Sequence, residues 1–420
     1  MNAMLGLLDC NNFFVSCERV FNPRLASIPV VVLSNNDGCV VARSEEAKSI
    51  GVQMGQPYFT LRPLQRRYNL VAHSANFELY GDMSYRMMQL LRRYSEELEV
   101  YSIDEAFFRC PQLTLEELHT YARSIRQESL KCLGLPISLG IAPTKTLTKV
   151  AGQYAKKHPQ GVMILSPETA ESYLRSFAIE DVWGIGRKNA GKLRRLGITT
   201  AWHLRQSETR LIRRHLTVVG ARLALELQGY RCFDLQQTPE AKQSITFSRT
   251  FAKPTDRFDE VAEAIAHYTA RAGEKLRRDQ QVAGCIHVYV TTHRHNGDPY
   301  YAASKGLFLE TATADTRVLL NASRQLWQHL YQPGFRYNKA YVTLSQLSSP
   351  QEIQLSLMGE NLSAPQSSAQ LMKAIDGLNL TYGRGTLSFG AEGFQRPWLQ
   401  RPHTRSPRYT TRWGEELRAY

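Results

Sequence analysis

Three carboxylates stand where the chain turns. Asp9 closes a short apolar stretch at 4–8, and Asp104-Glu105 sits between two others, at 100–103 and 106–108. Taken singly, acidic residues finish strands and fill turns. Brought together on one sheet, they repel and raise one another's pKa unless cations neutralise them. Hard oxygen ligands with retained waters suit magnesium, above all where a substrate phosphate completes the shell. Two such ions about 4 Å apart activate a 3′-hydroxyl and stabilise a leaving pyrophosphate in an in-line phosphoryl transfer. Polymerases and nucleotide cyclases both use that arrangement, and the carboxylates alone leave the two open.

The elements around these residues must bring them to one place. Apolar spacing predicts a strand at 4–8, an amphipathic helix at 76–94 and two strands meeting at Asp104-Glu105. A second helix is predicted at 115–132, opened by Thr114 with Glu117 three residues on. A strand at 137–141 and a basic helix at 144–157 follow. With 20–75 set aside, the order is strand-helix-strand-strand-helix-strand, the split ferredoxin-like arrangement. In that order strand one is expected beside the strand entering Asp104, so that the carboxylates converge on one sheet edge. The segment at 20–75 reads as a small insertion with its own strand (30–33) and helix (44–50).

The rest of the chain points to a polyanion. Its 420 residues carry 52 Lys and Arg against 38 Asp and Glu, a net charge of +14 and a pI near 9.5. The excess is concentrated: 183–232 holds eleven basic residues against Glu208 and Glu226 alone. A basic segment of that density on a folded domain is the footprint of nucleic acid. The seven cysteines (10, 17, 39, 110, 132, 232, 285) are odd in number, include no Cys-x-x-Cys pair and read as reduced core residues of a cytoplasmic protein. No apolar run approaches the roughly 18 residues of a membrane helix, and the N-terminus lacks a signal peptide's basic lead, so no membrane partner is expected. The pattern is helical over 166–229, polar and linker-like over 233–243, mixed over 244–347, and Ser-, Gln- and Pro-rich beyond 348.

At these residues the sequence resembles the Y-family of translesion DNA polymerases, and within it the UmuC subfamily. Asp9-Cys10-Asn11-Asn12-Phe13-Phe14-Val15-Ser16-Cys17-Glu18 is similar to the family's first metal motif, and Tyr101-Ser102-Ile103-Asp104-Glu105 to its second. Leu33-Ser34-Asn35-Asn36-Asp37-Gly38-Cys39, Asn76-Phe77-Glu78-Leu79-Tyr80 and Gly140-Ile141-Ala142-Pro143-Thr144-Lys145-Thr146-Leu147 match further signatures in order. The resemblance implies an α+β, multidomain right hand. Its parts are a ferredoxin-like palm (1–20 and 75–165), small fingers (20–75), a helical thumb with a helix-hairpin-helix (166–235), an α/β little finger (244–347) and a C-terminal clamp- and partner-binding tail (348–420).

It also implies that Asp9, Asp104, Glu105 and the Cys10 carbonyl hold two Mg2+ ions for catalysis with dNTP substrates. Phe14, with Phe13 beside it, falls at the steric gate, where a rigid ring leaves no room for a 2′-hydroxyl. Lys48 and Lys156 fall where the family contacts the triphosphate, which needs cationic donors, and Arg43, a turn before Lys48, is expected to assist. Glu45, beside them, is expected to point elsewhere.

Two more stretches concern macromolecular partners. Val182-Trp183-Gly184-Ile185-Gly186-Arg187-Lys188 resembles a helix-hairpin-helix turn, whose glycines and opening amides (Gly184, Gly186, Arg187, Lys188) hold a phosphate of primer-template DNA without reading its sequence. Gln354-Leu355-Ser356-Leu357-Met358 is similar to a sliding-clamp peptide, with Leu355, Leu357 and Met358 as apolar anchors and Gln354 as an amide. The C-terminal run Ser406-Pro407-Arg408-Tyr409-Thr410-Thr411-Arg412-Trp413 is similar to that subfamily's end, which implies a UmuD′-type dimer and a RecA filament as partners. Read from residues alone, it is a basic aromatic tail suited equally to nonspecific DNA contact. The expectation is an error-prone, template-directed DNA polymerase of the SOS response, without proofreading and nucleoid-associated when acting. The rival readings are a catalytically silent DNA- and clamp-binding factor and a nucleotide cyclase.

Overall fold

The computed structural model describes residues 4–166, 168–238, 240–294, 297–352, 364–399 and 402–417. The chain divides into two compact units, Met1–Pro239 with Pro402–Tyr420, and Glu240–Arg401.

The first unit is built on a five-stranded sheet. Its elements begin with β1 (Leu5–Cys10), buried along its length, and α1 (Phe13–Phe21). β2 (Val30–Leu33), β3 (Val40–Arg43), α2 (Glu45–Ser49), α3 (Arg62–Tyr68) and β4 (Val71–Ser74) come next. α4 (Phe77–Arg92), β5 (Leu98–Val100), β6 (Glu105–Arg109), α5 (Leu115–Leu133), β7 (Ile137–Ala142), α6 (Lys145–Ala155) and β8 (Val162–Ile164) follow. The main sheet runs β5-β6-β1-β7-β8, which is the ferredoxin-like order with β8 added beside β7. β1 is flanked by β6 and β7, so it is the strand leaving Asp104-Glu105, not the one entering it, that lies beside Asp9. β5 is displaced to the edge because the chain from Tyr101 to Asp104 turns back on itself, with Tyr101 and Ser102 both donating to the Glu105 carbonyl. α5 opens on the Thr114–Glu117 capping box that the sequence predicts. Helix α6 lies so close to β7 that a Cβ on Gly140 would meet the Gly152 nitrogen at 2.3 Å.

The insertion forms a small sheet of its own, β3-β2-β4, with β2 and β4 parallel. Of its three strands only β2 was expected: all three have four residues, but β2 is the unbroken apolar run Val30–Leu33, whereas β3 ends in Arg43 and β4 carries His73 and Ser74.

Four helices complete the first unit: α7 (Ala170–Ser176), α8 (Arg187–Arg195), α9 (Ala201–Gln206) and α10 (Thr209–Gln228). Their apolar faces share a core with the inner side of α6. Glu226 of α10 is fully buried and accepts from the Thr146 backbone and hydroxyl and from the Cys232 and Phe233 amides. The stretch expected as a linker is therefore anchored at its start, and the division between units falls within it, between 239 and 240.

The second unit is a four-stranded antiparallel sheet in the order β11-β10-β12-β9, with two helices on one face. Its elements are β9 (Ser244–Thr255), α11 (Phe258–Arg278), β10 (Val282–Thr292), β11 (Ala302–Thr313), α12 (Thr316–Leu330) and β12 (Tyr337–Ser348). β9 and β11 were not expected. Both are edge strands: β11 mixes Ser304 and Glu310 with an exposed Phe308 on its outward side, and β9 carries Pro254, which only an edge tolerates comfortably. The expected tail also has structure. α13 (Ala364–Tyr382) is tied to α11 by Asp376 and Arg277 at 2.7 Å, and Trp398 is buried in this unit's core. Residues 402–417 belong to the first unit.

Candidate active site

Asp9 is the last residue but one of β1 and Glu105 opens β6, directly opposite in register. Their carboxyl groups are joined by a hydrogen bond, and a lysine stands on each: Lys156 Nζ lies 2.6 Å from Asp9 Oδ2, and Lys149 Nζ lies 2.9 Å from Glu105 Oε2. Asp9 is 6% exposed, and burial pushes its pKa up to about 7, with Lys156 opposing and the bond to Glu105 adding to the rise. Burial also pulls Glu105 upward, but its bonds to Asp9 and Lys149 outweigh it, and its pKa is lowered. Of the pair, Asp9 is therefore the more readily protonated and Glu105 the more readily charged.

Asp104 is held differently. Its carboxylate accepts from the Ser102 hydroxyl at 2.6 Å, and its carbonyl accepts from the Cys10 amide at 2.9 Å. Among the described residues, no three His, Cys, Asp or Glu side chains stand together as a metal-holding group. Two of the three predicted carboxylates thus meet in this structure, and the third waits one residue away on the same turn. The donor chemistry still fits divalent ions. Carboxylates and the Cys10 carbonyl are hard oxygen donors, and a buried pair that must share a proton and recruit a lysine marks a place short of positive charge. The Cys10 side chain is no competitor, because burial pushes its thiol well above the usual range and keeps the sulfur protonated.

The aromatic residues form a compact set beside this pair. Phe14 on α1 stacks on Tyr80 of α4, ring centres 4.6 Å apart and planes 14° apart, with Phe77 edge-on at 5.7 Å and Phe13 tilted at 5.8 Å. Phe13 is buried and Phe14 half-buried, so Phe14 is the ring able to face a substrate.

The predicted triphosphate cations are dispersed. Lys156 is at the carboxylates. Lys48 bonds Glu45 Oε1 at 2.6 Å, and the same oxygen accepts from Asn12 at 3.1 Å. Glu45 thus faces Lys48 and the head of α1: on α2 it stands one turn before Lys48, where a helical ion pair forms. The Arg43 guanidinium donates to the Val52 carbonyl within the insertion. Lys149 was missed. Its signal was the spacing Lys145, Lys149 on a basic helix, which puts both on one face; Lys145 pairs with Glu99.

The glycine turn behaves as predicted in outline. Gly184 has φ +80°, and a Cβ there would press on Leu223 at 2.9 Å, while Gly186 caps α8 with open space around it. Arg187 and Lys188 open that helix. Gln354, Leu355, Leu357 and Met358 lie outside the described residues.

Comparison with known proteins follows these parts closely. The impB/mucB/samB family matches residues 8–153, its C-terminal domain 242–357 and its helix-hairpin-helix motif 167–198, and a domain of unknown function matches 369–418. Protein UmuC of Salmonella typhimurium is 42% identical, covering 99% of this chain and 100% of its own. Protein ImpB of the same species is 36% identical over 98% of both, and DNA polymerase IV of Bacillus cereus 26% over 92% of both. Among solved structures, a Dbh–Dpo4 Y-family polymerase chimera aligns at TM-score 0.67 and 21% identity, covering 82% of this chain and 99% of its own. An insertion ternary complex of Dbh DNA polymerase aligns at 0.53 and 22%, with the same coverage.

Proposed function

The chain belongs to the impB/mucB/samB family, and we infer from that premise that it is an error-prone DNA-directed DNA polymerase of translesion synthesis and SOS mutagenesis. The observation that carries the reading is the Asp9–Glu105 pair in register across β1 and β6, with Asp104 on the turn between and Lys156 laid against it.

Asp9, Asp104, Glu105 and the Cys10 carbonyl would hold two magnesium ions. Bound there, the ions would supply an acidified primer 3′-hydroxyl and stabilisation of the leaving pyrophosphate. The chain's own residues do the rest. Asp9 and Glu105 would serve as ligands in their ionised forms. Lys156, half-exposed at the C-cap of α6, brings positive charge to the incoming triphosphate, and Lys48 and Arg43 add theirs from the insertion. Phe14, braced by Tyr80, lies under the sugar and excludes a 2′-hydroxyl, which selects deoxynucleotides.

In the right-hand description, the β5-β6-β1-β7-β8 sheet is the palm, the β3-β2-β4 insertion the fingers, the helices α7–α10 the thumb and the second unit's sheet the little finger. Gly184, Gly186, Arg187 and Lys188 grip the primer-template backbone. The peptide Gln354–Met358 docks on a sliding clamp, and a UmuD′-type dimer and a RecA filament complete the working assembly in the cytoplasm, at the nucleoid.

The test is extension of a labelled primer-template by purified protein with magnesium and dNTPs, with and without UmuD′-type dimer, RecA and clamp. Template-dependent extension is expected. Salt-sensitive DNA binding with no extension under any condition would leave only an accessory binding factor.

A further inference from the structure

Two stretches far apart in the sequence meet behind Phe14. Residues 402–409 run back across the first unit and lie along the end of β4, the start of α4 and the C-terminal half of α1. Thr404 and Ser74 exchange backbone and hydroxyl bonds of 3.0–3.2 Å, and Ser74 and Arg405 form a parallel bridge. The Asn76 side chain, which caps α4 through Leu79, donates to the Ser406 carbonyl at 3.1 Å, the Ser406 hydroxyl at 3.0 Å and the Pro407 carbonyl at 3.1 Å. Arg408 reaches Glu78 at 3.0 Å, and the Tyr409 ring stacks on Phe21 of α1, centres 4.8 Å apart. The expected basic tail is therefore a packed strap over this stretch, although Trp413 beyond it is 95% exposed.

The strap converges on one carboxylate. Glu18, 1% exposed, accepts from the Tyr80 hydroxyl at 2.6 Å and from the Ser406 hydroxyl at 3.0 Å on the same oxygen. Ser406 accepts from Asn76 and donates to Glu18, so its single proton has one destination. Glu18 lies four residues after Phe14, on the same face of α1. Tyr80 spans both, its hydroxyl on Glu18 and its ring stacked on Phe14. A buried carboxylate is tolerated only while its donors stay in place, so loss of one donor lets the others shift toward the charge.

We propose that the C-terminal strap, through Ser406 and Glu18, is a positioning device for Tyr80 and hence for the Phe14 gate, so that residues some four hundred positions away help to set sugar selection. The proposal rests on the polymerase reading above. Ser406, Glu18 and Tyr80 act through Phe14 and are positioning residues; none of them touches the nucleotide.

The experiment measures single-nucleotide insertion by the full-length protein, with any partners that support extension, for a dNTP and its matching rNTP. In Ser406→Ala the ratio of kcat/KM for dNTP to that for rNTP is expected to fall about tenfold, the scale of one lost hydrogen bond to a charged group. Ser406→Thr keeps the hydroxyl and is expected to retain the ratio. Tyr80→Phe cuts the same link from the other side while keeping the ring, and is expected to lower the ratio even if Ser406→Ala fails to fold. The double variant is expected to fall no further than the singles, since both act on one carboxylate. A ratio unchanged in Ser406→Ala and Tyr80→Phe, with both nucleotides slowed alike and the thermal midpoint lowered, would overturn the proposal and leave the strap a purely structural brace. No extension by the unaltered protein would instead remove the polymerase reading, and this proposal with it.

Discussion

At the residue scale the site is a charge problem resolved in three ways: a proton on Asp9, a lysine on each carboxylate, and a serine on Asp104. The sign of its pH dependence follows. Asp9 has a folded pKa near 7 against an ordinary 3.8, so the native state binds its proton more tightly than the unfolded chain does. The stability this group contributes is whole below about pH 4 and is lost as pH rises toward 7. In a metal chelator, the unaltered protein is therefore expected to lose melting temperature relative to Asp9→Asn across that window. A flat difference would show that Asp9 is ionised throughout. The carboxylates were legible in the sequence because acidic residues ending apolar stretches are conspicuous. Lys149 was not, because a lysine on a basic helix looks the same whether it faces solvent or Glu105. The Glu45–Lys48 ion pair follows from their spacing on α2, one turn apart.

At the scale of elements, the joint that carries α10 against α6 depends on Glu226. It receives four bonds at full burial, three of them from the backbone amides of Thr146, Cys232 and Phe233. Glu226→Leu should destabilise the first unit by about 3 kcal/mol, since unsatisfied buried donors cost about 1–3 kcal/mol each and only some can find new partners. A shift in the urea midpoint within error of zero would mean the joint is held by apolar packing alone. The long helices and central strands were readable from periodicity and caps, as α5 shows. What periodicity missed was short or half-polar: β3 and β4 at four residues each, and the edge strands β9 and β11. The position of β1 between β6 and β7 was misassigned by one strand, because topology places three strands near Asp104 and spacing cannot rank them. The strap at 402–409 was invisible for another reason. Its anchors are Thr404, Ser406 and main-chain groups, which carry no apolar pattern.

At the scale of the whole molecule, the +14 charge and the basic residues of 183–232 form the largest signal that sequence alone supplied about a partner. If primer-template is held by 6 to 10 phosphate contacts, affinity should fall by about 10³ to 10⁵ between 50 and 200 mM salt. Affinity that barely changes over that range in a filter-binding titration would argue against backbone contacts as its source. The second unit is inserted into the first, since 402–417 returns to the unit that begins the chain. That return explains why a polar C-terminal stretch read as a tail has a packed place. The central claim, that Asp9, Asp104 and Glu105 are the catalytic centre of a template-directed polymerase, is tested most directly by comparing primer extension by the unaltered protein and by Asp104→Ala, with DNA affinity measured in parallel. The account predicts a loss of extension of about a thousandfold or more with DNA affinity retained. Extension by Asp104→Ala at the unaltered rate would contradict it.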